Sequence, residues 1–179
     1  MLYLTAAVVV IGGVCAVNLL LTMAVVRRLR HHAERLANVP MQPPLIQPGT
    51  ALPEFSAVSS TGAPVKKDFF VGNTLVGMFS TACTACRERL PEFVSLAAGF
   101  GGRTLAVVSG DLEQASEFAA GLDPATTVVI EDRSGQVNKA FGVKAVPSFY
   151  IVDENAVITA AATAPSKLPV ASGGLRVNS

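Results

Sequence analysis

Two cysteines, Cys83 and Cys86, flank Thr84-Ala85 in the stretch STACTACRERLP, residues 80–91. A pair at this spacing can hold a metal, form a fixed bridge, or pass electrons by thiol–disulfide exchange. A structural zinc site needs about four nitrogen or sulfur ligands. The only histidines, His31 and His32, lie far upstream and there is no second cysteine pair, so no metal is expected. A fixed bridge across so short a loop would gain little from chain entropy. Exchange is the favoured reading, with no cofactor required. The third cysteine, Cys15, sits inside an apolar run and reads as a small hydrophobe.

Positioning such a pair falls to the elements on either side. TLVGMFS, residues 74–80, is a compact apolar run of the kind found in a central strand covered on both faces. From Cys83 to Ala98 the spacing is helical, with Leu90, Phe93, Val94 and Ala97 on one side. Cys83 then falls at the helix start, where free backbone N–H groups and the helix dipole favour a thiolate, and Cys86 lies one turn inward. Cys83 is therefore expected to attack and Cys86 to resolve the mixed disulfide. Pro91 inside this helix removes a hydrogen bond and predicts a bend. Arg87 and Arg89 either lower a nearby thiol pKa or are simply solvated, and both readings stay open.

Downstream, TLAVVSG, DLEQASEFAAGL, TTVVIED, SGQVNKAFGV and VPSFYIVDENAVITA alternate strand and helix patterns, which predicts an α/β domain with a mixed central sheet covered by helices. Upstream, LPEFSAVSSTGAPV reads as an edge strand or a hairpin with its turn at Thr61-Gly62. Pro147 stands just before a strong strand, and the Val146-Pro147 bond can be trans or cis. A cis bond there would present the Val146 backbone to an extended partner. Substrate contacts are expected from Val146, Ser148, Thr84 and Phe79. With no charged clamp evident near the cysteines, the expected partner is a protein dithiol or disulfide in extended form.

Mean hydropathy is high, +0.47. The excess lies at the front, where residues 2–26 carry no charge, long enough for one transmembrane helix and a lipid partner. Four arginines against one glutamate in residues 27–37 give a local net of +3, leaving ten basic and twelve acidic groups elsewhere, a net of −2. This pattern suits a membrane headgroup contact and excludes a nucleic-acid site. The expected order is an anchor at 1–27, a basic, proline-rich spacer at 28–50, the redox domain at 51–165 and a loose tail at 166–179. A single-pass cell-membrane protein follows. The arginines place its domain in the cytoplasm by the positive-inside rule, whereas disulfide chemistry favours the extracytoplasmic side, to which the reading leans. A membrane-bound or exported redox partner is expected there.

On LPEFSAVSSTGAPV, GMFSTACTACRERLP and DRSGQVNKAFGVKAVPSFYIVDENAVI, and on the order anchor, spacer, redox domain, the chain resembles membrane-anchored thiol-disulfide oxidoreductases of the TlpA and ResA type and the related MauD. The resemblance implies a thioredoxin-like fold preceded by one transmembrane helix. It also implies Cys83 as attacking and Cys86 as resolving cysteine, Pro91 at a helix kink, Pro147 as a cis proline beside the site, and a role in maturing a specific protein. Ala82, Thr84-Ala85 and Arg89 depart from that family's usual tryptophan, proline-containing dipeptide and glutamate, which leaves redox potential and direction of electron flow open. A peroxiredoxin reading fits poorly, since Val76 and Ser80 stand where its Pro-x-x-x-Thr-x-x-Cys pattern has proline and threonine. The other alternative is a non-catalytic thioredoxin-like membrane accessory or scaffold.

Overall fold

The computed structural model describes residues 12–13, 18–19, 21–23 and 45–169. The chain divides into two compact units, Met1–Met41 and Gln42–Ser179, and the folded domain lies in the second. A short antiparallel hairpin, β1 (Ser56–Val58) and β2 (Pro64–Lys66), comes first. Its turn runs through Gly62 at φ +83°, a backbone setting glycine adopts without a Cβ clash. A five-stranded mixed sheet follows, built from β3 (Thr74–Ser80), β4 (Arg103–Ser109), β5 (Thr127–Glu131), β6 (Ser148–Val152) and β7 (Ile158–Ala162). Its order is β5-β4-β3-β6-β7, with β3, β4 and β5 parallel and β6 and β7 antiparallel to their neighbours.

All seven residues of β3 are buried, which is why its sequence is a continuous apolar run with no polar alternation. Successive side chains go to opposite faces. Val76 and Met78 join Leu105, Val107, Tyr150 and Val152 on one side, while Leu75 and Phe79 join Ala106, Val108, Phe149 and Ile151 on the other. Helices α1 (Thr84–Ala98) and α2 (Leu112–Ala119) cover the second face through Phe93, Ala97, Ala115 and Phe118. The short helix α3 (Gln136–Ala140) covers the first through Val137 and Ala140. Phe79 sits among Phe93, Phe118 and Phe149 with ring centroids 5.3–5.7 Å away. Burying one such ring contributes roughly 1.5–3 kcal/mol. Gly77 makes this cluster possible, because a Cβ there would lie 2.7 Å from the Phe79 ring and 2.8 Å from the Phe93 ring.

After β7 the chain makes a short 3₁₀ turn, Pro165–Lys167, and buries Leu168. The Ser166 amide donates to the Glu92 carboxylate of α1 at 2.8 Å. This contact holds the Glu92 carboxyl below its usual range, with Ser166 the main cause and Arg89 a smaller one. Residues 170–179 of the expected tail, and most of the expected spacer, lie outside the described residues.

The membrane expectation is corrected. A span needs about 20 consecutive apolar helical residues, and no helix among the described residues is long and apolar enough to cross a membrane. Within the expected anchor the described helical residues are 12–13, 18–19 and 21–23, and the remainder of residues 1–27 lies outside the description. The transmembrane helix before the domain, the lipid partner, the membrane tether and the single-pass cell-membrane localisation with its choice of side are therefore not supported.

Candidate active site

The parallel strands β3, β4 and β5 end at the same edge of the sheet, and the antiparallel β6 begins there. Four chain segments converge on that edge. The Thr81 amide still pairs with Ser109 across the ends of β3 and β4 at 3.0 Å, and the Cys83 amide turns back to the Ser80 carbonyl at 3.1 Å. The turn delivers Cys83 to the N-cap of α1, in extended backbone at φ −106°, ψ 109°. There its sulfur accepts the Cys86 backbone N–H at 3.2 Å, filling one of the donor positions a helix start leaves unpaired.

The two thiols differ sharply in access. Both are free; Cys83 is partly exposed and Cys86 fully buried. Burial pushes the Cys86 thiol up from 9.0 to about 12, helped by its hydrogen bond with Cys83 and opposed by the Ser80 backbone and by the charge of Arg133. Cys83 Sγ lies 3.6 Å from the Val146 carbonyl oxygen, as the donor to it. The Val146-Pro147 peptide is cis, and β6 starts at the next residue.

Of the other residues expected at the site, Val146 is partly buried beside Cys83 and Thr84 is exposed in the first turn of α1. Phe79 and Ser148 are both fully enclosed, and neither lines the cavity at Cys83. Ser148 faces Met78 in the β3–β6 register, and its hydroxyl has no hydrogen-bond partner among the described residues. Pro91 lies within α1, exposed. Arg87 reaches back to the Thr81 carbonyl at 3.4 Å, and Arg89 pairs with Glu92 at 3.0 Å.

A cavity of about 280 Å³ opens beside Cys83 and Val146. Its wall includes Ser80, Ser109, Asn138, Arg133 and Lys144. Asn138 is buried and donates to the Ser109 hydroxyl at 2.9 Å and to the Asp132 carbonyl at 3.1 Å. Glu131, the last residue of β5, accepts the Val137 and Asn138 amides and so fixes the start of α3 against the sheet. The two cations stand where the sequence offered no evident charged clamp. They were missed because they are remote in sequence, and the one available signal was that each lies in a loop next to a strand end. Among the described residues no cluster of three or more metal-ligating side chains occurs.

The AhpC/TSA family model matches residues 48–161, and the chain belongs to that family. No curated protein matches the chain significantly in sequence. Among solved structures, the thioredoxin domain of a thiol-disulfide oxidoreductase from Bacteroides vulgatus is similar at 19% identity and a TM-score of 0.57, covering 65% of this chain and 88% of that one. A thio-disulfide isomerase from Thermus thermophilus is similar at 18% identity and 0.56, covering 66% and 87%. A thiol-disulfide oxidoreductase from Bacteroides fragilis gives 16% and 0.55, covering 63% and 89%. These likenesses establish a thioredoxin-like fold. The resemblance to membrane-anchored TlpA, ResA and MauD proteins is corrected accordingly to a thioredoxin-like redox domain of the AhpC/TSA family, with no helix among the described residues long and apolar enough to cross a membrane. Family membership together with the Cys-x-x-Cys pair makes this chain an oxidoreductase.

Proposed function

We propose that this AhpC/TSA family member exchanges disulfides with protein partners, Cys83 attacking and Cys86 resolving. The observation that carries the reading is the difference in access between two sulfurs on one helix turn: Cys83 borders an open cavity, while Cys86 is enclosed with its thiol raised to about 12. A partner disulfide reaches Cys83 first. Cys83 gives up its thiol proton and its Sγ bonds to one partner sulfur, the partner's S–S bond breaks, and the other partner sulfur leaves and takes up a proton. Cys86 then loses its proton and attacks Cys83 Sγ, which releases the second partner thiol and leaves a Cys83–Cys86 disulfide. Two electrons have passed to the partner. The same steps in reverse oxidise a partner dithiol, and the direction follows the difference in potentials.

The Val146 carbonyl facing Cys83, with β6 following directly, offers backbone groups to an extended segment lying across the thiol. The test is a trap. Cys86→Ser removes the resolving thiol, so the variant is expected to accumulate mixed disulfides with proteins on non-reducing gels, linked through Cys83. Adducts confined to small thiols, or linked elsewhere, would remove support for a protein substrate. Turnover of insulin disulfides by the wild-type protein, absent from Cys83→Ser, separates exchange from a passive holding role.

A further inference from the structure

The cavity beside Cys83 holds two cations that the exchange steps do not use. Arg133 lies just beyond the end of β5, and Lys144 lies in the segment leading to Val146-Pro147. Both are exposed, and among the described residues the ion pairs are Lys67–Glu54 and Arg89–Glu92, so neither cation has a carboxylate partner there. The carboxylates next to Arg133 in sequence are engaged elsewhere. Glu131 accepts the Val137 and Asn138 amides, and Asp132 accepts the amide and hydroxyl of Ser134 at 2.6 Å each. Arg133 is also near enough to the cysteine pair for its charge to act on Cys86. Beside the cations the wall carries the polar Ser80, Ser109 and Asn138 as well as the apolar Val143, Ala145 and Val146.

We infer that this cavity is a subsite for a carboxylate side chain carried by the substrate segment close to the cysteine that Cys83 attacks. The inference rests on the exchange reading above. Two uncommitted cations beside hydroxyl groups complement an anion and disfavour a cationic neighbour. At about 280 Å³ the cavity sits at the lower edge of the roughly 300–1,000 Å³ typical of small-ligand pockets and has room for one acidic side chain. Because both cations are exposed, the attraction acts through solvent and weakens with salt.

The test uses the reduced full chain and short peptides whose single cysteine is capped by neutral thiopyridine, with Glu, Gln or Lys beside the cysteine. Release of pyridinethione reports exchange, and a peptide adduct on Cys83 in the Cys86→Ser variant reports attack on the peptide sulfur. The Glu peptide is expected to react faster than the Gln peptide by about fivefold, the size of two exposed ion pairs, and the Lys peptide to react slowest. The Glu-to-Gln ratio should shrink with added salt and approach one in the Arg133→Gln/Lys144→Gln variant, whose melting curve checks that it is folded. Equal rates for the three peptides, or a ratio that survives in the variant, would overturn the subsite alone. Capped glutathione supplies the small-molecule arm, and an advantage confined to it would overturn a side-chain subsite in favour of a small anionic disulfide. If no peptide released pyridinethione through Cys83, the exchange reading itself would fall and the subsite with it.

Discussion

Among the described residues, cavities lie at opposite ends of the domain's sheet, and the larger of the pair lacks the chemistry. At the end where β4 and β5 begin, a cavity of about 570 Å³ is lined by Phe69, Phe100, Arg103, Thr104, Asp123 and Thr126, among others. Its polar groups are committed. Arg103 donates to the Phe69 carbonyl at 2.8 Å and stacks over that ring at 5.2 Å. Thr104 bonds Thr126 at 3.2 Å, and Asp123 accepts the Ala125 amide at 2.7 Å. At the other end, half that volume adjoins a partly exposed thiol and two cations with no carboxylate partner among the described residues. Uncommitted reactive and charged groups, more than volume, mark a site for ligands; a satisfied cavity is a feature of packing.

The comparison can be broken most decisively at Cys83. Cys83→Ser is expected to reduce insulin turnover to the uncatalysed rate, whereas Thr126→Ser in the larger cavity leaves it unchanged; loss of turnover in both would erase the distinction between the two ends.

A second prediction concerns Cys86, the enclosed half of the site. Its thiol is raised from 9.0 to about 12, so between those values the unfolded chain has released a proton that the folded chain still holds. Stability of the reduced protein should therefore fall as pH rises through this window, by an amount on the order of a few kcal/mol. Denaturant midpoints measured across that range should decline more steeply for wild type than for Cys86→Ala. Equal slopes would show that burial of this thiol does not govern the alkaline limb.

Between the two ends, Gly77→Ala tests the body they share. The added methyl meets the Phe79 and Phe93 rings and should cost about 1–3 kcal/mol. A melting temperature lower by roughly 3–10 °C is expected, with the insulin rate of the folded protein retained. An unchanged melting curve would mean that the aromatic cluster can part without strain.

The smallest effect separates the two arginines. Arg103→Ala removes a carbonyl hydrogen bond and a ring contact, and should lower stability by about 1 kcal/mol while leaving exchange unchanged. Arg133→Ala should leave the melting temperature within about 1 °C and reduce exchange with acidic peptides. The opposite pattern would mean that the arginines have been assigned to the wrong ends.

What could be read from the sequence was whatever is local. The apolar run of β3, the helical spacing of α1 and the alternation of later strands and helices each depend on neighbouring residues, and the mixed sheet follows from them. The cysteine pair and Pro147 stood out because their residue types are chemically distinctive. Arg133, Lys144 and Asn138 did not, since ordinary polar residues acquire meaning only when the sheet edge gathers three distant loops around one thiol. Closeness in sequence to the site also did not mean access to it: Phe79, in the run expected to be covered on both faces, and Ser148, at the start of β6, are both enclosed. Absence of charge over residues 2–26 permits a span without requiring one, and among the described residues no helix has the length and hydropathy to cross a membrane.

Glu131 gives the cavity a mechanical character. It ties the end of β5 to the start of α3 through two amides, and Asp132 closes the intervening loop on Ser134. Arg133 thus projects from a segment anchored on both sides, whose backbone ordering was completed during folding. An incoming anion has only long side chains left to immobilise, at about 0.5–1.5 kcal/mol each, and no loop to freeze. Cutting this tie with Glu131→Ala would turn a rigid presentation into a floppy one, so the loss would register as conformational entropy even though Arg133 keeps its charge.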